Sequence, residues 1–108
     1  VFAVIYRWRV RPDREEAFVE GWRRVSGAVR DRFGSYGSRL HRSEDGLFVS
    51  YGRWPDREAR EPYRQHLDVD PEGFRLMQEA IVEELPEIRL SILGDLLDEP
   101  DYFGRTRR

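Results

Sequence analysis

Cysteine, lysine and asparagine are all missing from this 108-residue chain, and Thr106 is its single threonine. Without cysteine there is no disulfide framework, no thiolate nucleophile and no metal or cluster site built on sulfur. Without lysine, Schiff-base chemistry would have to use the chain terminus. Arginine supplies every cation apart from histidine, a bias that fits a GC-rich genome. No apolar run approaches the roughly 20 residues needed to cross a bilayer, so no membrane association is expected. The two histidines, His41 and His66, are not neighbours, and the acidic residues fall in solvated patterns; no metal is expected. No signal peptide is visible, the expected location is the cytoplasm, and the chain opens at Val1 already inside a strand, which leaves room for natural residues before it.

Charged residues make up 37% of the chain at a net charge of −2. Arginines alternate with Asp and Glu along the expected helices, the pattern of a salt-bridged, solvated surface, and no nucleic-acid partner is expected. Arg105, Arg107 and Arg108 read as part of a frayed tail. The length allows one core, and the division is one domain over residues 1–97 followed by a tail, 98–108.

Phe2, Val4, Tyr6, Trp8 and Val10 alternate with Ala3, Ile5, Arg7 and Arg9, the period of a strand. Pro12 and the acidic Asp13, Glu15 and Glu16 suit a helix start. The helix runs to about Phe33 on a stripe of Phe18, Trp22, Val25 and Val29. Ser38 to Ser43 and Leu47 to Trp54 form two strands around a turn at Glu44-Asp45-Gly46. Pro55 and Asp56 open a second helix to about His66, which Pro62 kinks or restarts. Asp70 caps another helix carrying Phe74, Met77, Ile81 and Leu85, ended by Pro86. Ile88, Leu90 and Ile92 alternate in a last strand, with a bulge expected at Gly94.

Strand, helix, strand, strand, helix in two pieces, strand is the ferredoxin-like α+β order, an antiparallel sheet with helices on one face. Ala3, Ile5, Phe48 and Leu93 lie out of phase with Val4, Tyr6, Val49, Tyr51 and Ile92, so both faces of the sheet carry apolar side chains. Helices cover only one. A second copy of the sheet would cover the other, which predicts a homodimer closed into an α+β barrel.

An aromatic-rich first strand leads through Arg11-Pro12-Asp13 into a helix with Phe18 and Trp22. Further on come Gly34-Ser35-Tyr36-Gly37, Leu40-His41-Arg42 and Phe48 to Trp54, with Asp56 and Glu58 opening a helix. In these features, over residues 2–94, the chain resembles the antibiotic biosynthesis monooxygenase domain family. The resemblance implies a dimeric α+β barrel with a pocket in each subunit between sheet and helices. Chemistries in that family include cofactor-independent oxygenation of aromatic polyketides, quinol oxidation and haem degradation. The haem-degrading branch uses an asparagine, a tryptophan and a histidine where this chain has Tyr6, Tyr63 and Gly73, so haem chemistry is not implied.

Cofactor-independent oxygenation draws its electrons from the substrate, and the protein need only bind, deprotonate and orient it. An imidazole can take the proton, and a phenol, indole or arginine can hold oxygen-centred charge. The catalytic candidates are therefore His41, Trp54 and Tyr63, with Tyr6, Trp22, Tyr51, His66, Phe74 and Met77 as substrate-binding candidates. No cofactor is expected. Each has a structural reading beside it: Trp54 as a plug between helix and sheet, the tyrosines as core residues with wet hydroxyls, Phe18, Trp22, Phe74 and Met77 as core stripes, His41 at the solvent and His66 at a helix end. Gly34-Ser35-Tyr36-Gly37 follows a helix, which is the wrong setting for a serine nucleophile elbow. The resulting expectation is a binder of a small aromatic or quinol-like molecule that oxidises it with dioxygen. The alternative is a non-catalytic dimer that holds a metabolite or serves assembly, a reading strengthened by the absence of asparagine amides.

Overall fold

The computed structural model describes residues 1–64 and 69–97. Alternation sets the first strand, β1 (Phe2–Val10), whose even-numbered residues Phe2, Val4, Trp8 and Val10 are buried in the core. A short 3₁₀ turn at Pro12–Arg14 then feeds α1 (Glu15–Phe33). Phe18, Gly21, Val25 and Val29 are its buried stripe. Gly34 ends it in the left-handed conformation, φ 75°, and donates its N–H to Arg30 O at 3.2 Å.

The strands β2 (Gly37–Arg42) and β3 (Phe48–Trp54) form a hairpin whose turn places Gly46 at φ 88°. A 3₁₀ turn at Glu58–Arg60 passes into α2 (Glu61–Arg64), and the change of helix type falls beside Pro62. The expected continuation to His66 lies outside the described residues. The next helix is α3 (Pro71–Ala80), capped by Asp70, whose carboxylate accepts from Gly73 N at 2.8 Å.

Here the structure departs from the helical spacing. Ile81 is extended, φ −78° and ψ 127°, and begins β4 (Ile81–Ser91), so Ile81 and Leu85 belong to a strand and Pro86 lies within it. Pairing with β1 overrides the chance continuation of the helical period. Ile92 to Leu97 follow the strand rather than belonging to it, and the bulges fall earlier than Gly94: the β1–β4 register shifts between Ile5 and Arg7 and between Arg9 and Val10.

The sheet is antiparallel in the order β2-β3-β1-β4, the ferredoxin-like arrangement. Its helix-covered face holds a solid aromatic cluster at one end. Trp8 and Phe48 are cross-strand partners, and Phe18, fully buried, meets both edge-on at centroid distances of 5.1 and 5.2 Å. Above it, α1 and α3 approach backbone to backbone. A Cβ on Gly21 would stand 2.6 Å from Gly73 O, and one on Gly73 would stand 2.9 Å from Val25 Cγ2.

The opposite face carries Ala3 and Ile5 of β1, Val49, Tyr51 and Arg53 of β3, and Leu85, Ile88 and Leu90 of β4, matched by cross-strand register. Ile5, Val49 and Tyr51 are half-buried, while Ile88 and Leu90 are 39% and 38% exposed. Among the described residues, no helix is long and apolar enough to cross a membrane.

Candidate functional site

Away from the aromatic cluster, the same face of the sheet is hollow. Small side chains make the space: Ser26 on α1, Ser35 after it, Ser38 on β2, and Ser50 and Gly52 on β3 all border a cavity of about 410 Å³. Its walls are apolar and aromatic, with Trp22, Val25 and Val29 from α1, Trp54 from β3, Tyr63 from α2, and Phe74 and Met77 from α3. This volume lies in the range of small-molecule sites.

The wall is braced by specific contacts. Trp54, the last residue of β3, is buried and stacks on Tyr63 at 6.1 Å with a 22° interplanar angle, and Tyr63 in turn leans on Phe33 at 5.9 Å. Trp22 Nε1 donates to Ser50 Oγ at 3.0 Å, so that indole N–H is already committed.

At the polar end sits an ionic group that sequence reasoning missed. Arg60 is 4% exposed; its Nη1 and Nη2 donate to Glu87 Oε1 and Oε2 at 3.1 and 2.8 Å, and Nη2 also donates to Tyr6 Oη at 2.7 Å. Its carbon lies 5.6 Å from the centre of the Tyr6 ring. Buried arginine is tolerated because the fork is matched by a carboxylate of the same geometry, although Arg60 Nε is buried without a partner. Among nineteen arginines nothing marks this one except its position three residues before Tyr63, on the stripe where an apolar residue would be expected.

Glu87 reaches this end because of the bulge. Leu85 pairs with Arg7 and Ile88 with Ile5, so Pro86 and Glu87 together face Tyr6. Two residues against one lets Leu85 and Ile88 both point to the opposite face while Glu87 points inward. The hydrogen bonds from Arg60 hold the Glu87 carboxyl below its ordinary pKa. Burial raises the Tyr6 phenol, with Arg60 opposing, and burial followed by the Tyr6 charge pushes Tyr63 up to about 12. Both phenols are therefore protonated at neutral pH. Glu84, paired with Trp8 on β4, also borders the cavity.

Of the residues singled out in the sequence, the structure brings Tyr6, Trp22, Trp54, Tyr63, Phe74 and Met77 around this one cavity. It does not bring His41 or Tyr51 there. Both alternate onto the opposite face of the sheet, where His41 is exposed and its Nδ1 donates to Val49 O at 3.1 Å, and Tyr51 pairs with Ile5 and Arg39. His66 lies outside the described residues. Among the described residues, then, no imidazole borders the cavity, and no group of His, Asp or Glu side chains is placed to hold a metal ion.

An antiparallel ferredoxin-like sheet with an aromatic cavity beneath its helices defines a small α+β domain. The profile of the antibiotic biosynthesis monooxygenase family matches residues 1–80, and the chain belongs to that family. Solved structures agree with the fold. Rv0793 from Mycobacterium tuberculosis is similar at 23% identity and a TM-score of 0.68, covering 89% of this chain and 98% of its own. SnoaB from Streptomyces nogalater, a cofactor-independent oxygenase, aligns at 15% identity and a TM-score of 0.70, covering 90% and 97%. A protein of Bordetella bronchiseptica described under the same family name aligns at 22% identity and a TM-score of 0.72, covering 86% and 97%. A comparison with curated protein sequences gave no match.

Proposed function

We propose that the chain binds a small planar aromatic molecule, of the hydroquinone or polycyclic phenol type, in this cavity and oxidises it with dioxygen. The observation that carries the reading is the cavity itself, about 410 Å³ walled by Trp22, Trp54, Tyr63 and Phe74 and closed at one end by Arg60 and Glu87. Flat aromatic walls favour flat ligands through burial and offset stacking. The likeness to SnoaB, a cofactor-independent oxygenase, supports the same direction. The substrate itself supplies the electrons: a hydroquinone passes two hydrogens to dioxygen, giving the quinone and hydrogen peroxide, whereas a polycyclic phenol whose keto form carries a ring methylene loses two hydrogens there and gains one oxygen atom, the second oxygen atom leaving as water.

In this reading Trp54 and Tyr63 orient the ring, and Tyr6, held in place by Arg60, steadies oxygen-centred negative charge. Glu87 is a poor base because Arg60 already holds its carboxylate. Glu84, which borders the cavity and has no ion pair among the described residues, is the proton acceptor. His41 has no part in it.

A second reading, binding without turnover, is favoured by the lack of an imidazole at the cavity. Oxygen uptake by metal-free protein against a panel of hydroquinones, anthrones and polycyclic phenols separates the two, after subtraction of spontaneous autoxidation. Saturable uptake that falls at least tenfold in Trp54→Phe or Glu84→Gln supports oxidation; tight binding without uptake supports the second reading.

The apolar outer face is the basis for a further part of the proposal, that two copies associate through their sheets. Ile5, Val49 and Tyr51 on that face, together with the exposed Ile88 and Leu90, form a surface larger than single scattered residues would give. Light scattering at micromolar concentration returns the mass of two chains if this holds, and of one chain if it does not.

A further inference from the structure

On the reading of the cavity as an aromatic binding site, the hydrogen-bond directions at its polar end bear on which aromatic ligands it would select. Arginine can only donate. The 2.7 Å contact from Arg60 Nη2 therefore makes the Tyr6 oxygen an acceptor and leaves the Tyr6 proton to go elsewhere. Among the described residues Tyr6 donates no hydrogen bond, and Tyr6 borders the cavity.

The guanidinium cannot swing aside to release this arrangement. Glu87 holds both Nη groups, at 3.1 and 2.8 Å, and the Arg60 side chain is 5% exposed. Glu87 is in turn fixed by the backbone, since the bulge opposite Tyr6 turns it inward. Tyr63, on the same cavity, makes no side-chain hydrogen bond among the described residues, so its O–H is also uncommitted. Two phenols thus border the cavity without donating a hydrogen bond among the described residues, and the acceptor side of one is taken.

We infer that Tyr6, its acceptor side occupied by Arg60 and Glu87, presents its hydroxyl proton to the cavity and selects aromatic ligands bearing an acceptor oxygen over hydrocarbons of equal size. Ketones, quinones and phenolates meet that requirement. Arg60 and Glu87 act as positioning residues, and Tyr6 makes the contact.

The test uses a matched pair of tricyclic probes, 9-fluorenone and fluorene, which differ by one carbonyl oxygen. Binding to the full chain is followed by quenching of tryptophan emission, because Trp22 and Trp54 border the cavity. Fluorenone is expected to bind about tenfold more tightly than fluorene, the usual scale for one well-placed hydrogen bond to a buried group. In Tyr6→Phe the ratio falls at least threefold, and in Tyr6→Phe combined with Tyr63→Phe it falls to about one; a ratio that Tyr6→Phe leaves unmoved would overturn the role of Tyr6. Removing Arg60 and Glu87 together, as Arg60→Leu with Glu87→Leu, avoids an unpaired buried charge and lowers the ratio to about threefold, because the Tyr6 hydroxyl is then free to turn. Arg60→Lys keeps a donor at Tyr6 and restores part of the ratio. A purely structural role for the pair would weaken both probes equally and leave the ratio unmoved, which would overturn the positioning role. A ratio near one in the unaltered chain overturns the inference and leaves the aromatic cavity intact. Binding of neither probe overturns both.

Discussion

The two ends of the helix-covered face are built from the same elements yet one is solid and the other hollow. At the solid end Trp8, Phe18 and Phe48 interlock edge-to-face. At the hollow end Trp54 and Tyr63 stack near the sheet, while Ser26, Ser38, Ser50 and Gly52 occupy the positions that would have filled the gap. The difference lies in side-chain volume rather than backbone. Replacing a few interior positions with serine and glycine gives up packing energy locally and leaves space for a ligand.

The sharpest way to break this contrast is to truncate an aromatic residue at each end. Phe18→Ala should lose about 3–5 kcal/mol in urea denaturation, because a fully buried ring leaves a void in close packing. Phe74→Ala, at a half-buried residue already facing a cavity, should lose only about 1–2 kcal/mol. Equal losses would mean that the hollow end is packed like the solid one.

Next in size is the ionic group that closes the cavity. Glu87→Gln should cost about 2–3 kcal/mol at pH 7, because it leaves Arg60 buried with its charge unmatched. The native carboxyl titrates below its ordinary 4.5. Its stabilisation is therefore complete above that value and disappears as the pH falls through the depressed one. The stability gap between the native chain and Glu87→Gln should close on acidification; a gap independent of pH would show that the carboxylate charge is not what matters.

Gly21→Ala probes the helix pair that roofs both ends. A methyl 2.6 Å from Gly73 O must push α1 and α3 apart, at about 2 kcal/mol. The smallest effect is expected at Tyr63. Tyr63→Phe should leave stability at pH 7 nearly unchanged, since the phenol is protonated in folded and unfolded chain alike. With the folded pKa raised to about 12, the native chain loses stability as pH rises above about 10 and through that value, because the unfolded phenol ionises first. The variant should lack that part of the alkaline decline.

Much of the fold was legible because its signals were local. The alternation of β1, the stripe of α1 and the Asp70 cap each depend on neighbours in sequence. The start of β4 was not legible, since Ile81 and Leu85 happen to continue the helical spacing of Phe74 and Met77, and only pairing with β1 reveals them as strand. In the site, the aromatic wall was legible by composition. His41 and Tyr51 were misplaced by parity: Tyr51 and Trp54 are three apart on one strand and therefore point to opposite faces. Arg60 and Glu87 were missed because their meeting depends on a bulge 27 residues away in sequence.

That bulge has a consequence outside the cavity. β4 is an edge of the sheet, and an exposed edge offers its free amide and carbonyl groups to any passing strand. Pro86 has no amide hydrogen to give, the irregular register spoils the regular spacing another strand would need, and Glu83, Glu84 and Arg89 line the rim with charge. The residue step that turns one carboxylate inward thus also keeps the rim from seeding edge-to-edge aggregation.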